Sequence, residues 1–396
     1  MFILKLNVTR AARIILLPVI LSAAAAHGLA QQQQVQFLPA AGAGSQVDQQ
    51  ALLDHFSFWL KQQIDEQDLP GAAFALVSRD QVFNISTWGV RSITDSEAIT
   101  GDSVFRIASV SKTFAGTLAS LLVENTNQDL NTLITDFLPQ IEIGTDRSSQ
   151  GITLKNLISH TTGLMPHAYS NMLDDGVAYK LIKEKFHDIP TVCEPGRCYG
   201  YQNVVFSLIA DIVEANTLES YEQYLQEKLF LPLGMTTATT GLEQFENNSH
   251  ATSPHRRIRG SWQITSQNPA YYSVAPAAGI NASIEDMAIW ARANLGGFPE
   301  VLSESFLIQQ HSPVVETPRG NYFNRWNGLS KAYYALGWRV FDYRGLRVIH
   351  HGGGVRGFRS EIALVPEYDL GLVVLFNAET TVANDVVPAF LDDLVH

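Results

Sequence analysis

Strand-like patterning is confined to the two ends of this 396-residue chain, and that split constrains the fold more than any other feature. Near the start, "AAFALVS" (72–78) and "QVFNISTWGV" (81–90) flank Arg79–Asp80 and read as an antiparallel hairpin. Near the end come "ALGWRVF" (335–341), "LRVIH" (346–350), "SEIALVP" (360–366) and "GLVVLFN" (371–377). Between them, from about 130 to 300, the signals are helical and loop-like, as in "VVFSLIADIVEAN" (204–216), "YEQYLQEKLF" (221–230) and "IEDMAIWARANL" (284–295). One sheet assembled from both ends and carrying a helical insertion accommodates this order. "ALLDHFSFWLKQQI" (51–64), the stripe Val110, Phe114, Leu118 and Leu122, and a last segment from about Asp385 supply helices to cover the sheet. The organisation predicted is an α/β sheet domain over 51–130 and 300–396, and a mostly helical domain over 131–299.

The first thirty residues have the pattern of an export signal. Lys5, Arg10 and Arg13 precede the apolar run "IILLPVILSAAAA" (14–26), and small residues Gly28 and Ala30 follow at positions suited to cleavage. The run is short for a bilayer span, so no stable membrane anchor is expected. Residues 31–50, polar and rich in Gln and Gly, read as a linker. The expected location is periplasmic or secreted. Cleavage after Ala30 would remove three cations and no acid, taking the formal charge from −12 to −15. Such an acidic chain is a poor partner for nucleic acid or an anionic membrane surface.

Cys193 and Cys198, in "CEPGRC", are the only cysteines. In an exported protein they read as a local disulfide worth about 2 kcal/mol, stiffening one loop rather than holding the fold. Two thiols without further Cys or His nearby do not make a metal site.

Three short segments can carry chemistry. Ser109 and Lys112, in "IASVSKTF", stand one helical turn apart on one face, where a lysine disfavoured in its charged form can activate the serine. Tyr201 and Asn203, in "PGRCYGYQN", offer a phenol that a nearby ammonium would bias towards ionisation and an amide that can bind a peptide-like group. "HHGGGVRGF" (350–358) reads by itself as a tight turn, with exposed backbone N–H groups that can form half of an oxyanion hole. It lacks the ligand spacing of a metal site, and it opens onto a strand rather than the helix a phosphate loop needs. No G-x-S-x-G elbow occurs.

In order, S-x-x-K, Y-x-N and H-G-G resemble the serine β-lactamase and penicillin-binding-protein superfamily. The chain is most similar to its class C β-lactamase-related group, which also holds DD-peptidases and family VIII-type esterases. "LKNLISHTTGL" (154–164), "LPLGM" (231–235), "SIEDMAIWARANL" (283–295), "YALGW" (334–338) and "FRSEIALVPEYDLGLVVLFN" (358–377) extend the resemblance over most of the chain beyond the leader. The resemblance implies an antiparallel sheet flanked by helices, a mostly helical second domain and an active site between them. It implies Ser109 as acylated nucleophile, Lys112 and Tyr201 as its proton-handling partners, and Asn203 as a contact to a substrate amide. It further implies substrate contacts from His351 and Gly353, and an oxyanion hole from the N–H groups of Ser109 and Gly354. No cofactor or metal is implied, and the partner is a small-molecule or peptide substrate: a β-lactam, a D-Ala-D-Ala-type peptide or an ester.

One segment departs from the pattern. His351-Gly352-Gly353 stands where class C β-lactamases have K-T-G, so a permanent cation and a hydroxyl are both missing. An unperturbed histidine would be only about a quarter protonated at pH 7. Carboxylate recognition is thereby weakened, unless Arg356 or Arg359 takes it over. The leading expectation is a hydrolase working through a Ser109 acyl-enzyme, with a non-hydrolysing sensor or cell-wall-binding protein as the alternative of a different kind.

Overall fold

Strands from the two ends of the chain meet in one eight-stranded antiparallel sheet. The computed structural model describes residues 48–395 apart from 125, 146–150 and 319; the predicted leader and most of the linker lie outside them. The early hairpin is β1 (Gly71–Val77) and β2 (Val82–Gly89). Three short strands, β3 (Val104–Arg106), β4 (Thr239–Thr240) and β7 (Ile280–Ser283), form a second sheet, and β5 (His255–Ile258) with β6 (Ser261–Ile264) forms a ribbon. The late strands are β8 (Val315–Glu316), β9 (Leu329–Tyr334), β10 (Arg339–Tyr343), β11 (Leu346–Val355), β12 (Phe358–Val365) and β13 (Leu370–Phe376). The main sheet runs β2-β1-β13-β12-β11-β10-β9-β8, so β1 from the N-terminal side pairs with β13, Phe74 lying opposite Val374.

Both faces of this sheet are covered, which is why β1 and β13 read as continuous apolar runs rather than alternating ones. Ala73, Ala75, Val373 and Leu375 face α2 (Ser111–Glu124), whose Phe114 and Leu118 are fully buried. Ala72, Phe74, Leu372 and Val374 face the other way, towards Leu52, Phe56 and Leu60 of α1 (Gln49–Glu66) and Val387, Phe390 and Leu391 of the C-terminal helix Val386–Val395. Fully burying side chains of this size stabilises by about 1.5–3 kcal/mol each. The first of these two cores runs without a break from the sheet into the helices of the 131–299 stretch.

The late strands differ in two places from the sequence reading, and both bear on the site. "ALGWRVF" is not one strand: β9 ends at Tyr334, the chain turns through Ala335–Trp338, and β10 begins at Arg339. Gly337 permits the turn, with φ +82° and no room for a Cβ, which would sit 2.4 Å from the Lys112 carbonyl oxygen. The glycine triplet, in contrast, is not a turn. β11 continues through Gly352, Gly353 and Gly354 to Val355, paired with β12, and the turn falls at Arg356–Gly357.

Candidate active site

Ser109 sits in a single 3-10 turn, Ala108–Val110, that feeds directly into α2. Ala108 has φ +50°, a left-handed conformation that costs a non-glycine residue on the order of 1–3 kcal/mol and persists only when its surroundings enforce it. The enforcing contacts are identifiable. Ser360 Oγ donates to Ile107 O at 2.7 Å, Ile107 N donates to Ile280 O at 3.1 Å, and Ile280 N donates to Ser111 Oγ at 3.1 Å. Gly353 closes the arrangement: a Cβ there would lie 2.3 Å from Ile107 O and 3.2 Å from Ser109 N. Buried Gly353 thus brings β11 against the serine turn, and exposed Gly354 follows at the cleft.

Lys112, one turn further along, is completely buried. Its Nζ donates to Asn203 Oδ1 at 2.8 Å and to Ala277 O at 2.9 Å, and lies 4.6 Å from the centre of the Tyr201 ring. Burial, reinforced by the Arg339 charge, holds the Lys112 pKa well below that of an ordinary lysine. In its neutral form the amine has two N–H donors and one lone pair, so with these two bonds made its lone pair would be left free. Tyr201 shares a hydrogen bond with Ser109. Burial pushes its phenol pKa up, only partly opposed by the Ser109 hydrogen bond and Arg339. The biasing of Tyr201 towards ionisation expected from the sequence is therefore reversed: desolvation outweighs the nearby cations.

The segment carrying Tyr201 and Asn203 is fixed by backbone bonds to the H-T-T-G-L loop. Gly196 N donates to Thr161 O, Gly200 N to His160 O and His167 N to Tyr201 O, all at 2.7–2.8 Å. Cys193 and Cys198 are disulfide-bonded at the start of this segment. His160 packs behind Tyr201, ring centres 4.4 Å apart, and its Nδ1 accepts from Gln202 N at 3.2 Å. The site thus draws on α2, one loop and β11.

His351 is buried and does not act as an exposed cation. Its Nδ1–H donates to Gly352 O at 2.9 Å, which leaves Nε2 to accept from the Tyr334 hydroxyl at 3.1 Å. Burial, then Arg339 and Lys112, hold its pKa well below 6.5, so the ring is neutral at pH 7. The sequence reading missed a permanent cation that stands beside Tyr201. Arg339, opposite His350 and Tyr334 in the ladders, has its guanidinium carbon 5.7 Å from the Tyr201 ring centre and 5.5 Å from that of Tyr334. It lines a small pocket of about 160 Å³ with Gly352, Gly353, Gly354 and Glu361. The available signal was a permanent charge inside an apolar strand run, directly after Trp338. Glu361, hydrogen-bonded to His350 at 2.7 Å, fills the space beside Gly352, where a Cβ would meet its carboxylate at 2.8 Å.

No group of three His, Cys, Asp or Glu side chains able to hold a metal ion occurs among the described residues, and no helix among them is long and apolar enough to cross a membrane. A family model described as Beta-lactamase matches residues 56–396. The chain is 27% identical over 349 residues to an unguisins hydrolase of Aspergillus campestris, covering 83% of this chain and 62% of that protein. It is 26% identical over 353 residues to Protein flp of Staphylococcus aureus strain N315, covering 84% and 66%. The matched stretch thus spans less than two thirds of either relative. In fold it is similar to the octameric penicillin-binding protein homologue from Pyrococcus abyssi, with a TM-score of 0.75 and 19% identity over 86% of this chain and 77% of that one.

Proposed function

The chain belongs to the β-lactamase family, and from that premise we propose that it is a serine hydrolase working through an acyl-enzyme on Ser109. The observation that carries this reading is the setting of Lys112: buried, with its pKa depressed, donating to Asn203 and Ala277, next to a Tyr201 bonded to the nucleophile. The lone pair of neutral Lys112 takes the Ser109 proton, relayed by the Tyr201 hydroxyl, as Oγ attacks the substrate carbonyl. The N–H groups of Ser109 and Gly354 hold the resulting oxyanion. The tetrahedral intermediate collapses, the leaving group departs with the proton returned through Tyr201, and an ester to Ser109 remains. Water then attacks that ester by the reverse proton path.

The finer reading is a substrate whose leaving group ends in a carboxylate, as in a D-Ala-D-Ala-type peptide. Its support is Arg339, a permanent cation beside Tyr201 in a 160 Å³ pocket that shares Gly354. A penam or cephem places its carboxylate on the same side and is the neighbouring possibility. Export through the 1–30 leader belongs to the same proposal and accords with a local disulfide.

The test is intact mass and turnover with an acyl-D-Ala-D-Ala peptide, a penicillin, a cephalosporin and a short-chain ester, with Ser109→Ala as control. The expected result is turnover of the peptide through a transient adduct on Ser109. A lasting adduct without turnover identifies a sensor instead. Turnover of the ester alone identifies an esterase, and undiminished activity of Ser109→Ala overturns the assignment.

A further inference from the structure

A second cleft of about 480 Å³ shares Gly354 and Arg359 with the Arg339 pocket, and two arginines and two acids line it. Its two acids are already engaged. Asp174 accepts from the Tyr271 hydroxyl at 3.0 Å, while Glu379 pairs with Arg256 at 2.8 Å and accepts from Gly357 N at 3.1 Å. Its two arginines have no carboxylate partner among the described residues. Arg356 is exposed at the β11–β12 turn. Arg359 donates only to the Asn384 side chain at 3.0 Å, its buried Nε has no partner, and its Nη1 lies against Gly354. A third guanidinium stands behind the wall. Arg106, 1% exposed, lies 4.0 Å over the Tyr272 ring and reaches Asn268 O, with Nε and Nη2 unpaired.

In a chain of formal charge −12, the cleft thus presents two arginines without a carboxylate partner among the described residues, while its two acids are engaged elsewhere. A guanidinium at the cleft without a carboxylate partner keeps donors that an anionic ligand can satisfy. Guanidinium groups bind carboxylates bidentately and orient them.

We infer that this cleft is an acyl-side subsite for an anionic group, so that the preferred substrate carries a carboxylate on the acyl side of the scissile bond. The inference rests on the proposed reading of Ser109, Tyr201 and Gly354. Tyr201 returns the proton to the leaving group, which places the leaving group on the Tyr201–Arg339 side of Gly354. The acyl part then lies along Gly354, Val355 and Arg356. Local cations also draw an anionic substrate towards an otherwise repelling surface, an attraction that salt screens.

The test uses two p-nitrophenyl esters that differ only at the far end of the acyl chain: the adipate monoester, with a free carboxylate, and the matching adipamide. Neither leaving group bears a carboxylate, so Arg339 takes no part in the comparison. The expected result is a kcat/KM at least tenfold higher for the carboxylate form. That ratio should fall to within about twofold in Arg356→Gln, and shrink in 0.5 M NaCl while Arg356→Lys retains most of it. Calorimetric titration of both esters into the Ser109→Ala protein gives the same comparison without chemistry. Equal turnover of the two esters, abolished for both by Ser109→Ala, overturns the subsite and leaves the nucleophile standing. So does failure of the carboxylate form to bind more tightly than the amide. Turnover of both that persists in Ser109→Ala overturns the nucleophile, and the inference with it.

Discussion

Lys112 Nζ lies 2.8 Å from Asn203 Oδ1, a bond between side chains 91 positions apart. It fixes where the amine's hydrogens point, and so where its lone pair is free. Asn203 is in this sense the residue that orients the base.

Asn203→Asp puts a carboxylate where the amide oxygen was. An anion in contact favours the ammonium form and raises the Lys112 pKa. More alkaline solution is then needed to free the base, so the acidic limb of the pH profile for kcat/KM should move to higher pH by one unit or more. Asn203→Ala should lower kcat by about ten- to a thousandfold without that displacement. Steady-state rates between pH 5 and 10 separate the two.

Gly353→Ala should be among the most damaging small substitutions. The added methyl would fall 2.3 Å from both Ile107 O and Ser360 Oγ, in the contacts that hold the serine turn. Overpacking of this kind costs about 1–3 kcal/mol, and a displaced nucleophile costs rate as well. Thermal unfolding should show the stability loss, and acylation should slow by about a hundredfold or more. Wild-type acylation in a folded variant would contradict this account of the turn.

Acid should destabilise the fold at mildly acidic pH. His160, His311 and His351 are buried and neutral, burial being the largest cause in each case; the His311 pKa is lowered to about 3. Each folded-state pKa lies below the unfolded value near 6.5, so below that pH the unfolded chain binds more protons. The stability contributed is complete above pH 6.5 and is lost as pH falls through 6.5 towards the folded values. The slope is at most about 1.4 kcal/mol per pH unit for each histidine. Melting temperature measured from pH 8 to 5 should be flat at first and then drop. His311→Asn should lessen the drop, and an unchanged melting temperature down to pH 5 would contradict the buried neutral assignment.

Tyr334→Phe removes the donor to His351 Nε2 and leaves a buried acceptor unpaired, at a cost of about 1–3 kcal/mol. Denaturant titration should report that loss. Because His351 is neutral, no limb of the activity profile should be its titration, and His351→Asn should keep the shape of the profile.

Reduction of Cys193–Cys198 should matter little for turnover. The disulfide closes a short loop worth about 2 kcal/mol, while the bonds from Gly196, Gly200 and His167 hold Tyr201 independently. Cys193→Ser with Cys198→Ser should lower the melting temperature by a few degrees and leave kcat within about threefold. A larger fall in kcat would show that the disulfide positions Tyr201.

Much of the architecture was legible because its signals are local. The hairpin at 71–89, the stripe on α2 and the apolar runs of β12 and β13 all follow from periodicity, which reports directly on burial. The triplets around Ser109, Tyr201 and His351 were legible as motifs, since spacing along the chain is preserved whatever the fold. Two details escaped because they depend on what lies opposite. Gly337 ends β9 at a point set by the Lys112 carbonyl it must approach, and the glycine triplet stays extended because β12 pairs with it.

The sequence by itself determined which residue types were present, which of them share a helical turn, and that strands from both ends had to find one another. Only the tertiary structure decided their charge states and their neighbours. Desolvation lowers the pKa of Lys112 and of His351 and raises that of Tyr201, and it depends on what three separate segments bury together. The same holds for Arg339, whose place beside Tyr201 comes from strand register, and for Arg356 and Arg359, whose lack of an acid partner appears only once every carboxylate nearby has been placed. Pairing and desolvation are properties of three-dimensional neighbourhoods, which a linear pattern does not encode.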